Sequence, residues 1–260
     1  MREYLIFQLY GPMASWGDIA VGEDRPSAFV PTKSAILGLV AAALGIKRPD
    51  TALTVEGRQQ WESQHINLAQ GYGIAMRVDW LGTPLADYHT AEVPRGQGYV
   101  TRRDEVVAIK EQKRSGVQFK GTILSRREFR QDVFCTVALW TLDNAPYALS
   151  ELKDRLLEPV FMLYLGRKSC PLALPLNPQV VSKESFEKAL STVSCPPEPS
   201  AWFKRLPKER PLYIWDFDAG AQTELTPMQT VDRRDTVLSR QRWQFAVRQE
   251  NQAYGGDHVL

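Results

Sequence analysis

The stretch VPTKSAILGLVAAALGIKRP, residues 30–49, narrows the possible folds more than any other. It is punctuated as a helix at both ends. Thr32 or Ser34 can cap its start. Gly45 can take the left-handed position that stops it, with Lys47, Arg48 and Pro49 behind. Ile36, Leu37, Val40, Ala43 and Leu44 share one face, and Leu39 and the alanines widen that stripe. Such a helix needs a sheet to cover it. Its apolar run, Ala35 to Leu44, is too short to span a bilayer.

Strands for that sheet are legible on either side. YLIFQLY (4–10) is apolar throughout, as a buried strand is. YGIAMRVDWL (72–81) alternates, with Ile74, Met76, Val78 and Trp80 on one side and Ala75, Arg77 and Asp79 on the other. DVFCTVALWTL (132–142) reads as a central strand. SELKDRLLEP (150–159) reads as a helix capped by Ser150 and ended by Pro159, and VFMLYL (160–165) as the strand after it. Between the second and third strands lies an insertion whose pieces EVVAIK and GVQFKGTIL read as arms of a long hairpin. The order β-α-β-insert-β-α-β predicts an α+β, ferredoxin-like (RRM-like) domain. It covers residues 1–195, interrupted at about 84–130, and is followed by a C-terminal extension over 196–260 that ends in a strand. CPPEP (195–199) marks a linker or turn cluster; in QRWQFAVRQ, Trp243, Phe245 and Val247 share one face. The fold hosts many functions and names none by itself, though it suits RNA binding.

Charge is uneven along the chain. The net charge is only +2, yet Arg95 to Arg130 holds ten Lys or Arg against four acids, a local +6 that leaves about −4 elsewhere. A basic segment of this kind is either a solvated hairpin or the footprint of a polyanion. Three cysteines (Cys135, Cys170, Cys195) and three histidines (His65, His89, His258) stand far apart, without disulfide or zinc spacing. Asp216 and Asp218 in WDFD are a weak metal signal, so no metal and no cofactor are expected. The acidic third residue and strand-like start argue against a signal peptide, and a reducing cytoplasm is the expected location.

The loop YLGRKSCPL (164–172) sets Gly166, Arg167, Lys168 and Ser169 behind Tyr164. It is either a phosphate nest or a strand-ending turn with its cations in water. Cys170 as a nucleophile would need a basic partner, and no such signature surrounds it. Lys33 and Ser34 open the first helix, where amides and dipole favour an anion as well as a cap. Trp16 can stack on a base or plug the core; Trp80 and Trp140 sit on core patterns.

Several stretches, in order and at similar spacing, carry a family likeness: GPMASWG, RPSAFVPTKSAILGLVAAALGI, DYHT, FCTVALW, YLGRKSCPLALPL and LSRQRWQFAVRQE. Together they resemble the CasD family of the RAMP superfamily, the subunits that bind the 5′ handle of CRISPR RNA in type I-E Cascade complexes. The resemblance implies a non-catalytic subunit of an RNA-guided antiviral complex. Such a subunit caps the handle, and its hairpin acts as a thumb against the backbone subunit CasC. It also neighbours the large subunit CasA and meets target DNA only through the complex, whose sequence is read by the guide. It implies RNA contact at Arg25, Lys33, Ser34, Tyr88, His89, Arg102, Arg103, Lys120, Arg126, Arg127, Tyr164, Gly166, Arg167, Lys168 and Ser169. Arg25 can instead pair with Glu23 or Asp24. Tyr88 and His89 can stack on bases or form the hairpin base. The alternative function is a metal-independent endoribonuclease with His89 as general base.

Overall fold

The computed structural model describes residues 1–20, 23–92, 107, 110, 111, 114–116, 122–194 and 210–255. The first strand, β1 (Arg2–Ala14), is longer at both ends than its apolar run, and residues 4–9 are buried because both of its faces are covered. Three two-residue strands follow: β2 (Trp16–Gly17), β3 (Asp24–Arg25) and β4 (Ser27–Ala28). Helix α1 (Lys33–Leu44) starts from Thr32, whose hydroxyl accepts the Ala35 amide, and stops at Gly45 with φ of 79°. The cap is therefore Thr32 and not Ser34.

A 3-10 turn (Pro49–Thr51) leads to α2 (Val55–Gly71), a largely polar helix with no sustained apolar stripe to announce it. Then come β5 (Tyr72–Trp80), β6 (Thr83–Glu92), β7 (Thr122–Thr141), α3 (Leu149–Leu157) and β8 (Gln179–Lys183). Helix α4 (Phe186–Leu190) and strands β9 (Leu212–Asp216), β10 (Gln229–Ser239) and β11 (Gln244–Tyr254) complete the described chain.

Among the described residues these strands form a nine-stranded, mainly antiparallel sheet. Its middle runs β8-β1-β7-β5, and β9, β11 and β10 continue it beyond β5. Where the sequence suggests one final strand, the C-terminal part thus supplies three. One face carries Leu5, Phe7, Leu9, Ile74, Met76, Val137 and Leu139 against α1 and α3. The other carries Tyr4, Ile6, Ala75, Ala138, Trp140 and Trp215 against α4. Trp140 is fully buried, and its indole N–H donates to the Ala219 carbonyl at 2.8 Å.

Three expectations are overturned. VFMLYL is not a strand: the amides of Val160 and Phe161 donate to the carbonyls of Ala43 and Ala42, closing the end of α1. The fourth strand of the middle group is β8 instead. Ser150 lies inside α3, whose N-cap is Ala148. In EVVAIK the described residues, Val107 and Lys110, are helical, as are Glu111 and Arg114; the run IKEQKR consists almost wholly of strong helix formers. The paired arms are β6 and the first half of β7, in unbroken register from Thr83↔Gln131 to Glu92↔Thr122.

The alternation in β11 misleads as well. Trp243 and Val247 are half exposed, Phe245 alone of the three packs on the core, and Arg248 and Glu250 turn inward. Arg248 bonds Asp235 through Nε and Nη2 (2.7 and 3.0 Å), Asp216 through Nη1 (2.9 Å) and Glu250 through Nη2 (3.0 Å). Lys33 Nζ adds a 2.7 Å bond to Asp216, and the Lys33 amide donates to Asp235 at 2.7 Å. Asp216 and Asp235 are therefore ion-pair partners that lock the start of α1 onto β9, β10 and β11. Burial pushes the Asp216 carboxyl up, against the opposing pull of Lys33 and Arg248.

Candidate nucleic-acid interface

Several cations gather where the outer half of β7 meets β3, β6 and the 164–172 loop. β3 runs parallel to β7, with Asp24 opposite Arg126 and Arg25 opposite Arg127. β6 places Tyr88 opposite Arg126 and Asp87 opposite Arg127. Side chains alternate along a strand, so the register sorts the candidates by face. Arg25, Arg127, Asp87 and His89 share one side; Arg126, Tyr88 and Asp24 share the other.

Arg167 reaches the first side from its loop. Its guanidinium lies 4.9 Å over the Phe129 ring, and Nη2 points to the Arg25 carbonyl at 3.4 Å. Burial, then the charge of Arg127, and more weakly that of Arg25, pull its pKa below the usual arginine value. Its Nη1 is buried and, among the described residues, has no hydrogen-bond partner. The register sets Arg25 beside Arg127, and Arg167 comes to them over Phe129, so three cationic side chains gather near one unsatisfied donor, an arrangement that suits an anion. Lys168 and Ser169 stand exposed beside it.

The loop owes its shape to internal bonds. The Leu165 amide donates to the Cys170 carbonyl (2.7 Å), and the Cys170 amide to the Arg167 carbonyl (2.9 Å). Tyr164 bridges to Pro171. The loop also grips the end of β1: the Ser15 amide donates to the Leu165 carbonyl at 3.0 Å. Ser15 Oγ donates to the Glu128 carbonyl, and the Trp16 amide to Ser27 Oγ. Motifs distant in sequence are thereby stitched to β7. Gly166, at φ of 84°, passes so close to Ser15 that a Cβ would overlap its carbonyl oxygen. Its first requirement is this approach. Gly166→Ala is expected to cost about 3 kcal/mol or more, from the positive φ and the overlap together; a fall in the urea midpoint at unchanged slope measures it.

The other candidates divide. Lys33 has its ammonium on Asp216 with the side chain 12% exposed, and the anion at the tip of α1 is the chain's own Asp235. Ser34 lies 3.1 Å from Thr32 Oγ1, and its carbonyl accepts from Arg240. Neither joins the Arg25–Arg127–Arg167 group. Tyr88 is exposed, and His89 Nδ1 is 4.0 Å from Asp87. Arg102, Arg103 and Lys120 lie outside the described residues. Arg130 is buried, bonds the Leu81 carbonyl and packs on Phe29, so it braces the hairpin base. Trp16 is in the core. No spacing in the sequence foretells that 25, 127 and 167 meet, or that Phe129 carries Arg167.

Cys170 and Cys135 are fully buried, and burial pushes both thiols up. A thiol held protonated and out of water is inert. Ellman's reagent is expected to modify neither residue in the native protein and both after denaturation; peptide mapping of the labelled sites reads this out.

The likeness to known proteins is extensive. Residues 4–250 match the family model described as CRISPR-associated protein (Cas_Cas5). The chain is 36% identical over 198 residues to the CRISPR system Cascade subunit CasD of Escherichia coli (strain K12), covering 73% of this chain and 76% of that one. Among solved structures it is similar to a chain of a CRISPR RNA-guided surveillance complex, with a TM-score of 0.63 at 20% identity over 96% of this chain and 89% of the other. It is also similar to a structure titled as that of a Cas protein, with a TM-score of 0.58 at 21% identity over 96% and 94%. At such identities the structural matches speak for the fold.

Proposed function

The chain belongs to the Cas5 family of CRISPR-associated proteins, and on that premise we propose that it is the Cascade subunit that holds the 5′ handle of the guide RNA. The observation that carries this reading is the gathering of Arg25, Arg127 and Arg167 near the buried Nη1 of Arg167, which has no partner among the described residues. A phosphate of the handle completes that donor set, and Lys168 and Ser169 flank it. We read β8-β1-β7-β5 with α1 and α3 as the ferredoxin-like core, and β6 with outer β7 as the base of the thumb that leans on CasC. CasA and, through the assembly, target DNA complete the set of partners, in the cytoplasm.

The role is binding, not cleavage. His65 is buried on α2 against the Lys47 carbonyl, and burial lowers its basicity. Among the described residues that leaves His89 as the imidazole near the cluster, exposed to solvent with the Asp87 carboxylate 4.0 Å from its Nδ1. Incubation with repeat RNA is expected to leave the RNA intact.

The test is the salt dependence of handle binding, measured on the chain assembled with its guide. Neutralising about three phosphates of a single strand gives a slope near −2 in log affinity against log salt. A flat response overturns the reading.

A further inference from the structure

A second gathering of cations and rings surrounds the β10–β11 turn, apart from the Arg25 group. The turn is fastened to α2 by Glu62, whose Oε2 accepts the amides of Arg240 (3.0 Å) and Gln241 (3.1 Å). At its end Trp243 takes a φ of 52°, a conformation that is costly for a bulky side chain. The ring is held there 54% exposed. The guanidinium carbons of Arg48 and Arg240 lie 4.8 and 5.7 Å from its centre. Nearby, the Lys47 ammonium lies 5.7 Å from the centre of the Trp61 ring.

The charges around this turn do not balance. Over residues 47–62 and 240–242, Lys47, Arg48, Arg58, Arg240 and Arg242 stand against Asp50, Glu56 and Glu62. Asp50 is taken up by Arg48 through two bonds of 3.1 and 2.7 Å. The Glu62 oxygen nearest the turn serves backbone amides. Two arginine donors, Arg58 Nε and Arg240 Nε, are buried with no acceptor among the described residues. Buried donors amid excess positive charge ask for an anion, and a half-exposed indole beside guanidinium groups offers ring surface to a planar group. A free carboxylate or sulfate would satisfy the donors and leave the ring idle. A nucleic-acid strand uses both, through its phosphates and its bases.

We propose that the β10–β11 turn, with Trp243 as platform and Arg58, Arg240 and Arg242 as phosphate partners, is a second contact site for single-stranded nucleic acid. It does not depend on the handle assignment. The test uses the full chain and a fluorescein-labelled oligouridylate of about 12 nucleotides, within the usual span of such sites. Trp243→Gly suits the positive φ and removes the ring; Trp243→Phe keeps one. The glycine variant is expected to weaken oligouridylate binding about tenfold, with an unchanged urea midpoint and unchanged affinity for inorganic polyphosphate, which has no bases. The phenylalanine variant is expected to keep most of the affinity. The same tenfold loss is expected when Arg25, Arg127 and Arg167 are already substituted. Unchanged oligouridylate affinity in the glycine variant, or an equal loss for polyphosphate, overturns the proposal, and an acidic protein surface then becomes the better occupant. Loss of handle binding through the Arg25 group alone would leave this site's result untouched, so the two readings fail separately.

Discussion

Replacing Arg248 with methionine is expected to lower the stability of the chain by about 4 kcal/mol, the range found when one partner of a buried ion pair is removed. The side chain is 10% exposed and reaches three carboxylates, each no more than 4% exposed. Burial alone would lower its pKa, yet Asp235, Asp216 and Glu250 together hold it above the usual arginine value. Removing it leaves Asp216 with Lys33, leaves Glu250 with Arg233, and strips Asp235 of its guanidinium. Charges left in that state relax only by taking up protons or admitting water. The urea midpoint should fall at unchanged slope, with a drop in melting temperature of about 10 °C for a chain of this size. Arg233→Met serves as the contrast. Its side chain is more open and bonds Glu250 alone, so it should cost about 1 kcal/mol. Equal losses for the two variants would mean that the network is not centred on Arg248.

The second large effect concerns RNA. The triple substitution Arg25→Ala, Arg127→Ala, Arg167→Met should weaken handle binding about 100-fold at low salt, as three charge-assisted phosphate contacts are lost. Methionine at 167 keeps an apolar stem over Phe129, so the loop can stay seated. The slope of affinity against salt should flatten in parallel. Lys33→Met should instead leave RNA affinity unchanged and act on stability, because its ammonium faces Asp216. A variant set in which Lys33→Met weakens RNA binding as much as the triple would reverse the assignment of the two groups.

The sequence announces elements whose burial is one-sided or complete. β1, α1, β5 and the inner half of β7 are such elements, because apolar spacing and end signals agree there. It misleads where an apolar segment has another task. VFMLYL is as apolar as a strand, yet its first amides finish a helix. It is silent on α2, whose polar composition gives no stripe. In β11 the alternating pattern selects Trp243, Phe245 and Val247, while ion pairing draws Arg248 and Glu250 inward. The site shows the same limit. Arg167 is visible as one cation in a glycine loop, but its meeting with Arg25 and Arg127 depends on a parallel strand of two residues and on a loop anchored at Ser15. Such a meeting belongs to register, which no local window contains.

β7 is continuous for 20 residues, from Thr122 to Thr141. Its inner half is sealed between β1 and β5, while its outer half carries β6 and the arginines. Asp132, at φ of 57°, marks the joint between the halves, and β1 splints it by pairing Gly11 with Val133 and Met13 with Gln131. A ligand held on the outer half would therefore inherit the orientation of the core, because tilting it means breaking the β1 pairs that bridge Asp132.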